Sequence, residues 1–389
     1  MDFAEELNEL AGKLLDHVEH GTTDQAEDVL QVPVSAYTDP TRFAREVETL
    51  FKRLPQFLGF SVELSRPNTY KTIEIVGVPV LVVRREEGGV RAFMNVCKHR
   101  GARLVEIAHG VRRRFTCKYH GWTYANDGRL IGVAGKPTFG DFDVACRGLT
   151  ELPCVERAGM IFGILTPGLP FDFDAFFGGM LDEIAEYHLE DWYYVGCREL
   201  QGANWKVAYD GYLENYHFQT LHPNSIAPVS ISNVMQFKSY GPHLRVGFPG
   251  NTILDLKSVD RSEWHTQERR SYRTLRLLFP NISMSLAYGV GQAAQVIPGP
   301  EWSQNRTILH HIAPKTPENE EERQALLDTG QWFLDVVRDE DYSVGYQVQQ
   351  GLLSGALDTV MFGRNERGNQ HFHKWVDHYV NGGPEPQTI

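Results

Sequence analysis

Two short loops constrain this chain more than any other feature. The segments Cys97-Lys98-His99-Arg100-Gly101 and Cys117-Lys118-Tyr119-His120-Gly121-Trp122 each place a thiolate beside an imidazole, and seventeen residues separate the pairs. That interval lets a strand leave one loop and return in the other. The surrounding sequence has a matching texture. Short β-rich runs at Thr72–Val76, Val80–Arg84, Val90–Val96, Arg113–Cys117 and Ile161–Leu165 alternate with turns such as Glu87-Gly88-Gly89 and Asn126-Asp127-Gly128. This pattern predicts a small all-β domain. Two loops that each offer one Cys and one His suit a two-iron, two-sulfide cluster, with both thiolates on one iron and both imidazoles on the other. Neutral ligands in place of two anionic ones set the potential at roughly −150 to +300 mV, against about −400 mV for an all-Cys plant-type cluster. A structural zinc site uses the same donor set, although zinc sites usually pair Cys with Cys and His with His along the chain. Cys146, Cys154 and Cys197 lack such neighbours and read as small buried hydrophobes. Five cysteines are too few, and odd in number, for a disulfide scaffold.

The rest of the chain divides around this β region. Residues 1–55 read as a helical segment, with Leu7, Leu10, Leu14, Leu15 and Val18 at helical spacing, then Asp39-Pro40 as a cap leading into Phe43–Leu54. The β domain spans 56–166 and exits through Thr166-Pro167-Gly168-Leu169-Pro170. Residues 167–389 are mixed. Helices are expected at Phe171–Glu186, Gly211–Leu221 and Glu318–Gln350, with strands between Leu244 and His311. The second region is therefore α+β, most simply a sheet packed by helices. A net charge of −12 argues against a nucleic-acid or anionic-membrane surface. The longest apolar stretch, near Ile75–Val83, is half a membrane span, and the acidic start Met1-Asp2-Phe3-Ala4-Glu5-Glu6 is unlike a signal peptide. A cytoplasmic protein is expected.

A second constellation lies at Glu214, His217 and His222. Five residues on a regular helix leave two imidazoles about 140° apart, so a locally widened π-type turn is expected to bring His217 and His222 to one side. Pro223 ends the helix, and Glu214 shares a face with His217. Taken alone, two histidines at this spacing are most often plain helix-surface residues. His371 and His373, in a polar C-terminal helix, are read as surface residues. The run Gly289-Val290-Gly291-Gln292-Ala293-Ala294 imitates a dinucleotide fingerprint, but Gln295-Val296-Ile297-Pro298 follows where that fold needs a helix. We reject it.

Taken together, the motifs resemble the Rieske non-haem iron oxygenases, catalytic (alpha) subunit, of the aromatic-ring-hydroxylating type. The loops match C-x-H-(x)n-C-x₂-H, and Asn204-Trp205-Lys206 through His222-Pro223 is similar to the family's iron-ligand segment. The resemblance implies an α+β architecture: an all-β iron–sulfur domain ahead of a catalytic domain whose antiparallel sheet is covered by helices. It implies a [2Fe–2S] cluster on Cys97, His99, Cys117 and His120, and a mononuclear Fe(II) on His217, His222 and Asp341, with Asp339 as the fallback carboxylate. Glu214 takes the place of the bridging acid that faces His120 of a neighbouring subunit in a head-to-tail homotrimer, with or without a small β subunit. Asn215 and Phe218 are candidate substrate contacts. Gly211 stands where the family usually has Asn, which removes an amide from the iron's surroundings and could enlarge the pocket. The implied activity is hydroxylation of an organic substrate with O₂ and electrons from a ferredoxin or flavin reductase. Aromatic compounds are the first choice. A monooxygenase acting on a quaternary amine, or an N- or O-dealkylase, is the runner-up, and an electron carrier or redox sensor without oxygenase activity is the alternative of another class.

Overall fold

The computed structural model describes residues 2–286 and 290–389. Its contacts divide the chain into two compact units, Phe51–Phe173 with His188–Asp191, and Met1–Leu50 with Asp174–Tyr187 and Trp192–Ile389. The first unit is built from antiparallel strands. One sheet runs Glu151–Leu152, Val90–Met94, Val78–Arg84, Thr69–Ile75, His109–Val111. A second runs Arg114–Thr116, Thr123–Ala125, Leu130–Gly132, and a third Cys154–Arg157, Met160–Gly163, Gln56–Phe60. Leu81, Val83, Phe93, Phe115, Trp122 and Tyr124 form the core, and Cys97 and Cys117 belong to the same buried cluster. Each fully buried large apolar side chain contributes roughly 1.5–3 kcal/mol. The loops that carry the cysteines thus start from a packed, fixed base.

The second unit is organised by a seven-stranded antiparallel sheet in the order Tyr193–Gly202, Asn305–Ala313, Gly291–Pro298, Ile282–Ser285, Tyr272–Leu278, His243–Pro249, Gln236–Tyr240. Alternation along the strands separates two faces. On one, Gly247 lets Leu10 of helix Phe3–His20 approach the backbone, and Leu14, Ile253 and Tyr272 complete the contact. Arg245 and Arg276, both buried, lie on this face and share Glu183. Burial alone would raise the pKa of Glu183, but Arg276 and Arg245 hold it below the ordinary glutamate value. On the other face, Leu200, Ala294 and Leu309 pack against Val337 and Tyr342, so the elements bearing Asp341 cover this side.

Several expected elements differ in detail. The Phe171–Glu186 helix is broken at Gly178, where φ is +51°, into Phe173–Phe177 and Met180–Ala185. The long Glu318–Gln350 helix is Glu320–Val336, a π turn over Val337–Asp341, and Tyr342–Leu353. His371 and His373 are buried rather than superficial. Helix Arg367–Asn381 packs its Phe372, Trp375 and Val376 inward, and the two rings find polar partners in the Gly241 carbonyl (3.1 Å) and Asp210 (2.9 Å). In the dinucleotide-like run, Gly289 lies outside the described residues, and Gly291–Pro298 is a strand where a helix would be required. Among the described residues no helix is long and apolar enough to cross a membrane.

Candidate metal centres

The two Cys–His loops of the β unit are built alike. In the first, Cys97 N–H donates to Ala102 O (2.8 Å) and Gly101 N–H to Cys97 O (3.0 Å); in the second, Cys117 N–H donates to Trp122 O (2.8 Å) and Gly121 N–H to Cys117 O (2.9 Å). Gly101 and Gly121 close these turns at φ +77° and +68°, a region that favours glycine. The result is two thiols, each 2 % exposed, and two imidazoles with ring centres 4.6 Å apart. His99 stacks on Trp122 at 4.9 Å, and its buried Nδ1 has no hydrogen-bond partner in the protein. A buried dithiol facing an uncommitted imidazole nitrogen fits a [2Fe–2S] cluster with mixed ligands. Tyr124 supports the site from below. Its hydroxyl accepts from Lys98 N–H (2.9 Å) and lies 3.4 Å from Cys97 Sγ, so its own proton is free to point at the sulfur. The other cysteines are not buried hydrophobes. Cys146 is exposed and donates to Asp143 (2.9 Å), Cys197 is exposed, and Cys154 is only partly covered.

In the catalytic unit, Asn204 caps helix Trp205–Asp210 by accepting from Lys206 N–H (2.8 Å). The expected Gly211–Leu221 helix does not form. The chain turns after Asp210 and becomes helical again only over Phe218–Leu221. His217 enters this short helix and His222 leaves it at φ −113°, ψ 45°, because the following Pro223 disfavours helical geometry at that residue. Departure from the helix, not a π turn between the histidines, brings the rings to 5.1 Å. The π turn lies instead at Val337–Asp341, and it presents Glu340 and Asp341 together.

Glu214, His217, His222, Glu340 and Asp341 interlock. Asp341 Oδ1 lies 3.1 Å from His222 Nε2 and 3.6 Å from His217 Nε2, and one donor atom from each of the three residues falls within 4.8 Å of the others. His217 Nδ1 is held by Glu214, which also accepts the His217 backbone N–H (3.1 Å). His222 Nδ1 is held by Glu340 (2.6 Å), which Ser225 steadies through its hydroxyl (2.6 Å). With both Nδ1 positions donating to carboxylates, both Nε2 lone pairs converge beside Asp341. Two neutral imidazoles and one carboxylate that leave positions open form the facial set suited to non-haem Fe(II). Burial would lower the pKa of His222, but Asp341 and Glu340 outweigh it and hold the pKa above the ordinary histidine value.

The fallback Asp339 turns away and pairs with Arg338 (2.6 Å). Phe218 packs edge-on to both ligand rings, with Phe248 beyond it at 5.8 Å. Asn215 does not reach the site. Its amide donates to the Ile231 and Val234 carbonyls, both at 3.1 Å, and so ties down the neighbouring loop. Glu340 and Ser225 escaped sequence reasoning. The only signal for Glu340 is its place beside Asp341. A cavity of about 260 Å³ reaches Glu214, His217 and Asp341 between Val207, Ala208, Gly211 and Val348. At Gly211 a Cβ would meet nothing nearer than Ala208 O at 3.8 Å, so the missing side chain leaves room there.

Comparison with known proteins agrees with both centres. Residues 55–146 match the family model of the Rieske [2Fe-2S] domain, and residues 189–382 that of the ring hydroxylating alpha subunit (catalytic domain). The chain is 33 % identical to the glycine betaine monooxygenase oxygenase subunit of Chromohalobacter salexigens, over 55 % of its own length and 49 % of that protein. To the carnitine monooxygenase oxygenase subunit of Escherichia coli K12 it is 27 % identical, over 88 % of this chain and 91 % of the relative. The fold is that of the quaternary ammonium Rieske monooxygenase CntA with L-carnitine (TM-score 0.77, 21 % identity, 90 % and 96 % of the two chains). Naphthalene 1,2-dioxygenase with indole shares it too (TM-score 0.69, 22 % identity, 90 % and 92 %). The chain belongs to the Rieske non-haem iron oxygenases, as an alpha subunit whose β unit is a [2Fe–2S] domain and whose sheet-based unit is a mononuclear-iron catalytic domain.

Proposed function

We propose that this protein is the terminal oxygenase of a multicomponent enzyme and that it oxidises a quaternary or otherwise alkylated amine. The similarity to carnitine monooxygenase, which spans nearly the whole of both chains, carries this reading. Charge supports it. The catalytic unit holds 37 acidic against 20 basic side chains, and such a field concentrates cations near its clefts.

In this reading the bound iron and cluster supply O₂ activation and electron transfer, and the chain's own residues do the positioning. His217, His222 and Asp341 hold the iron, Glu214 and Glu340 orient the two imidazoles, and Phe218 keeps the ligand rings dry. Cys97, Cys117, His99 and His120 hold the cluster. The cavity floored by Glu214 receives the cluster loop of a second copy, whose His120 donates to that carboxylate in a head-to-tail trimer. A ferredoxin or flavin reductase delivers the electrons.

The purified protein should carry three irons per chain. His217→Ala should keep the cluster spectrum and lose all product formation. Oxygen uptake with a surrogate reductase should be supported by glycine betaine or carnitine. Uptake with anthranilate and not with either amine would assign an aromatic substrate instead.

A further inference from the structure

His373 and Asp210 stand between two cavities of the catalytic unit. His373 lines a cavity of about 1260 Å³, whose rim residues Gln25, Glu27 and Gln387 are exposed, so this space is open to water. Asp210 lines the other, the cavity of about 260 Å³ that also carries His217 and Asp341. Helix Arg367–Asn381 brings the imidazole to the boundary, where Phe362 stacks on it at 4.9 Å, and helix Trp205–Asp210 ends on the carboxylate. His373 Nε2 lies 2.9 Å from Asp210 Oδ1, and Tyr37 donates its hydroxyl to Asp210 Oδ2 (2.7 Å). Val32, Ala36, Leu352 and Phe362 make the surrounding wall apolar. The pair is thus a polar bridge through that wall, with side chains 3 % and 16 % exposed.

The two ring nitrogens differ. Nε2 is committed to Asp210 and lies 3.1 Å from the Tyr37 hydroxyl, whereas Nδ1 has no hydrogen-bond partner among the described residues. Most charges around the pair are engaged elsewhere. Lys206, 5.8 Å from the centre of the Tyr37 ring, pairs with Glu46, and Arg42 pairs with Glu46 (3.2 Å) and Asp377 (3.6 Å). Lys374, next to His373 on the helix, is exposed. Glu366, at the head of the same helix, has its carboxyl pKa raised by burial first, with Glu214 and Asp210 adding to the rise. Asn369 donates its amide to the Asp210 backbone carbonyl (3.0 Å) and steadies that helix end. An imidazole with one nitrogen free on a water-open side and the other bonded to a carboxylate is built to pass protons.

Insertion of one atom of O₂ into a C–H bond takes up two electrons and two protons and releases the other oxygen atom as water. In the proposed trimer the mouth of the iron-site cavity is filled by the cluster loop of a second copy, so protons must enter through its wall. We propose that His373 and Asp210 carry protons from the water-open cavity into the iron-site cavity. Nδ1 takes a proton from water, Nε2 passes its own to Asp210, and the carboxylic acid releases it to water beside the iron ligands. Each transfer leaves the neutral ring protonated at Nδ1, and passage of that proton to Nε2 resets it. The electrons come from the reductase and take no part in this path. The proposal rests on the oxygenase reading but not on which substrate is oxidised.

Exchange of the imidazole Cε1 hydrogen for deuterium, read at each histidine by mass spectrometry of the resting holoenzyme, tests the path without turnover. This exchange needs both water and a protonated ring. His373 should exchange with a clear pH midpoint and within about tenfold of the rate of His188, whose side chain is 72 % exposed. His243, fully buried with its pKa pushed down to about 3, should lag far behind. Asp210→Asn should lower the His373 midpoint, because the carboxylate no longer favours the imidazolium. In single turnover of the reduced holoenzyme, His373→Gln and Asp210→Asn should each slow product formation about tenfold or more, with cluster spectrum and iron content kept. The wild-type rate should fall as pH rises through the His373 midpoint, and His373→Gln should lose that limb. His371→Gln, on the same cavity but bonded to the Gly241 carbonyl, should leave the rate unchanged. Exchange at His373 as slow as at His243 would overturn the proposal, and so would a wild-type rate and pH profile in His373→Gln. Normal exchange at His373 in a wild type that yields no product from amines or aromatics would count against the oxygenase reading and leave the path standing.

Discussion

Removal of the Glu340 carboxylate should release the iron while sparing the cluster. Glu340 accepts from His222 Nδ1 at 2.6 Å, and the His222 side chain is only 3 % exposed, so water has little access to replace a lost partner. Carboxylates that orient a ligating histidine typically change metal affinity by about 10–100-fold when removed, which is about 1.4–2.8 kcal/mol at 1.4 kcal/mol per tenfold. Because the bond is charge-assisted and Ser225 also loses its acceptor, Glu340→Ala should fall in the upper half of that range. Glu340→Gln keeps an oxygen acceptor without the charge and should cost about tenfold or less. Asp339→Asn is the control, since Asp339 is 58 % exposed and paired with Arg338. The measurement is iron retained against a graded chelator series, with cluster absorbance as the internal reference. An iron affinity in Glu340→Ala within about twofold of the wild type would show that the π turn places Glu340 for some other purpose.

Three further outcomes follow from the geometry. Gly211 has φ −67° and ψ −18°, and its Cβ position is open, so Gly211→Ala should stabilise the protein by about 0.4–1 kcal/mol by restricting the unfolded chain; a lower melting temperature would contradict this. Tyr124→Phe removes a hydroxyl proton aimed at Cys97 Sγ and should lower the cluster potential by some tens of millivolts, since hydrogen bonds to sulfur favour the more negative reduced state; potentiometric titration reads it directly. Glu183 is held below the ordinary glutamate value by Arg276 and Arg245, so its stabilisation is fully present above about pH 4.3 and is lost as pH falls through its folded-state pKa. Urea midpoints across that acid range should fall less steeply in Glu183→Gln than in the wild type.

Local sequence carried the first centre almost unaided. Each Cys–His loop closes on itself through a glycine, so local sequence alone builds the two turns that carry Cys97, His99, Cys117 and His120, and the antiparallel strands around them follow from short alternating runs and turn residues. His217 and His222 were legible for a similar reason, although the device that joins them was not. A proline's effect on the preceding residue replaced the expected π turn. Tertiary structure alone decided the rest. Whether Asp339, Glu340 or Asp341 faces the histidines depends on a π register that packing of Val337 and Tyr342 against the sheet supports, and nothing in a run of acids announces it. The burial of His371 and His373 depends on partners 130 and 163 residues away, and the inward role of Asn215 on carbonyls 16 and 19 residues further along a chain that must first fold back. A motif can be read when its bonds are short in sequence. A side chain's surroundings are set by long-range packing and strand register, and these exist only once the chain has folded.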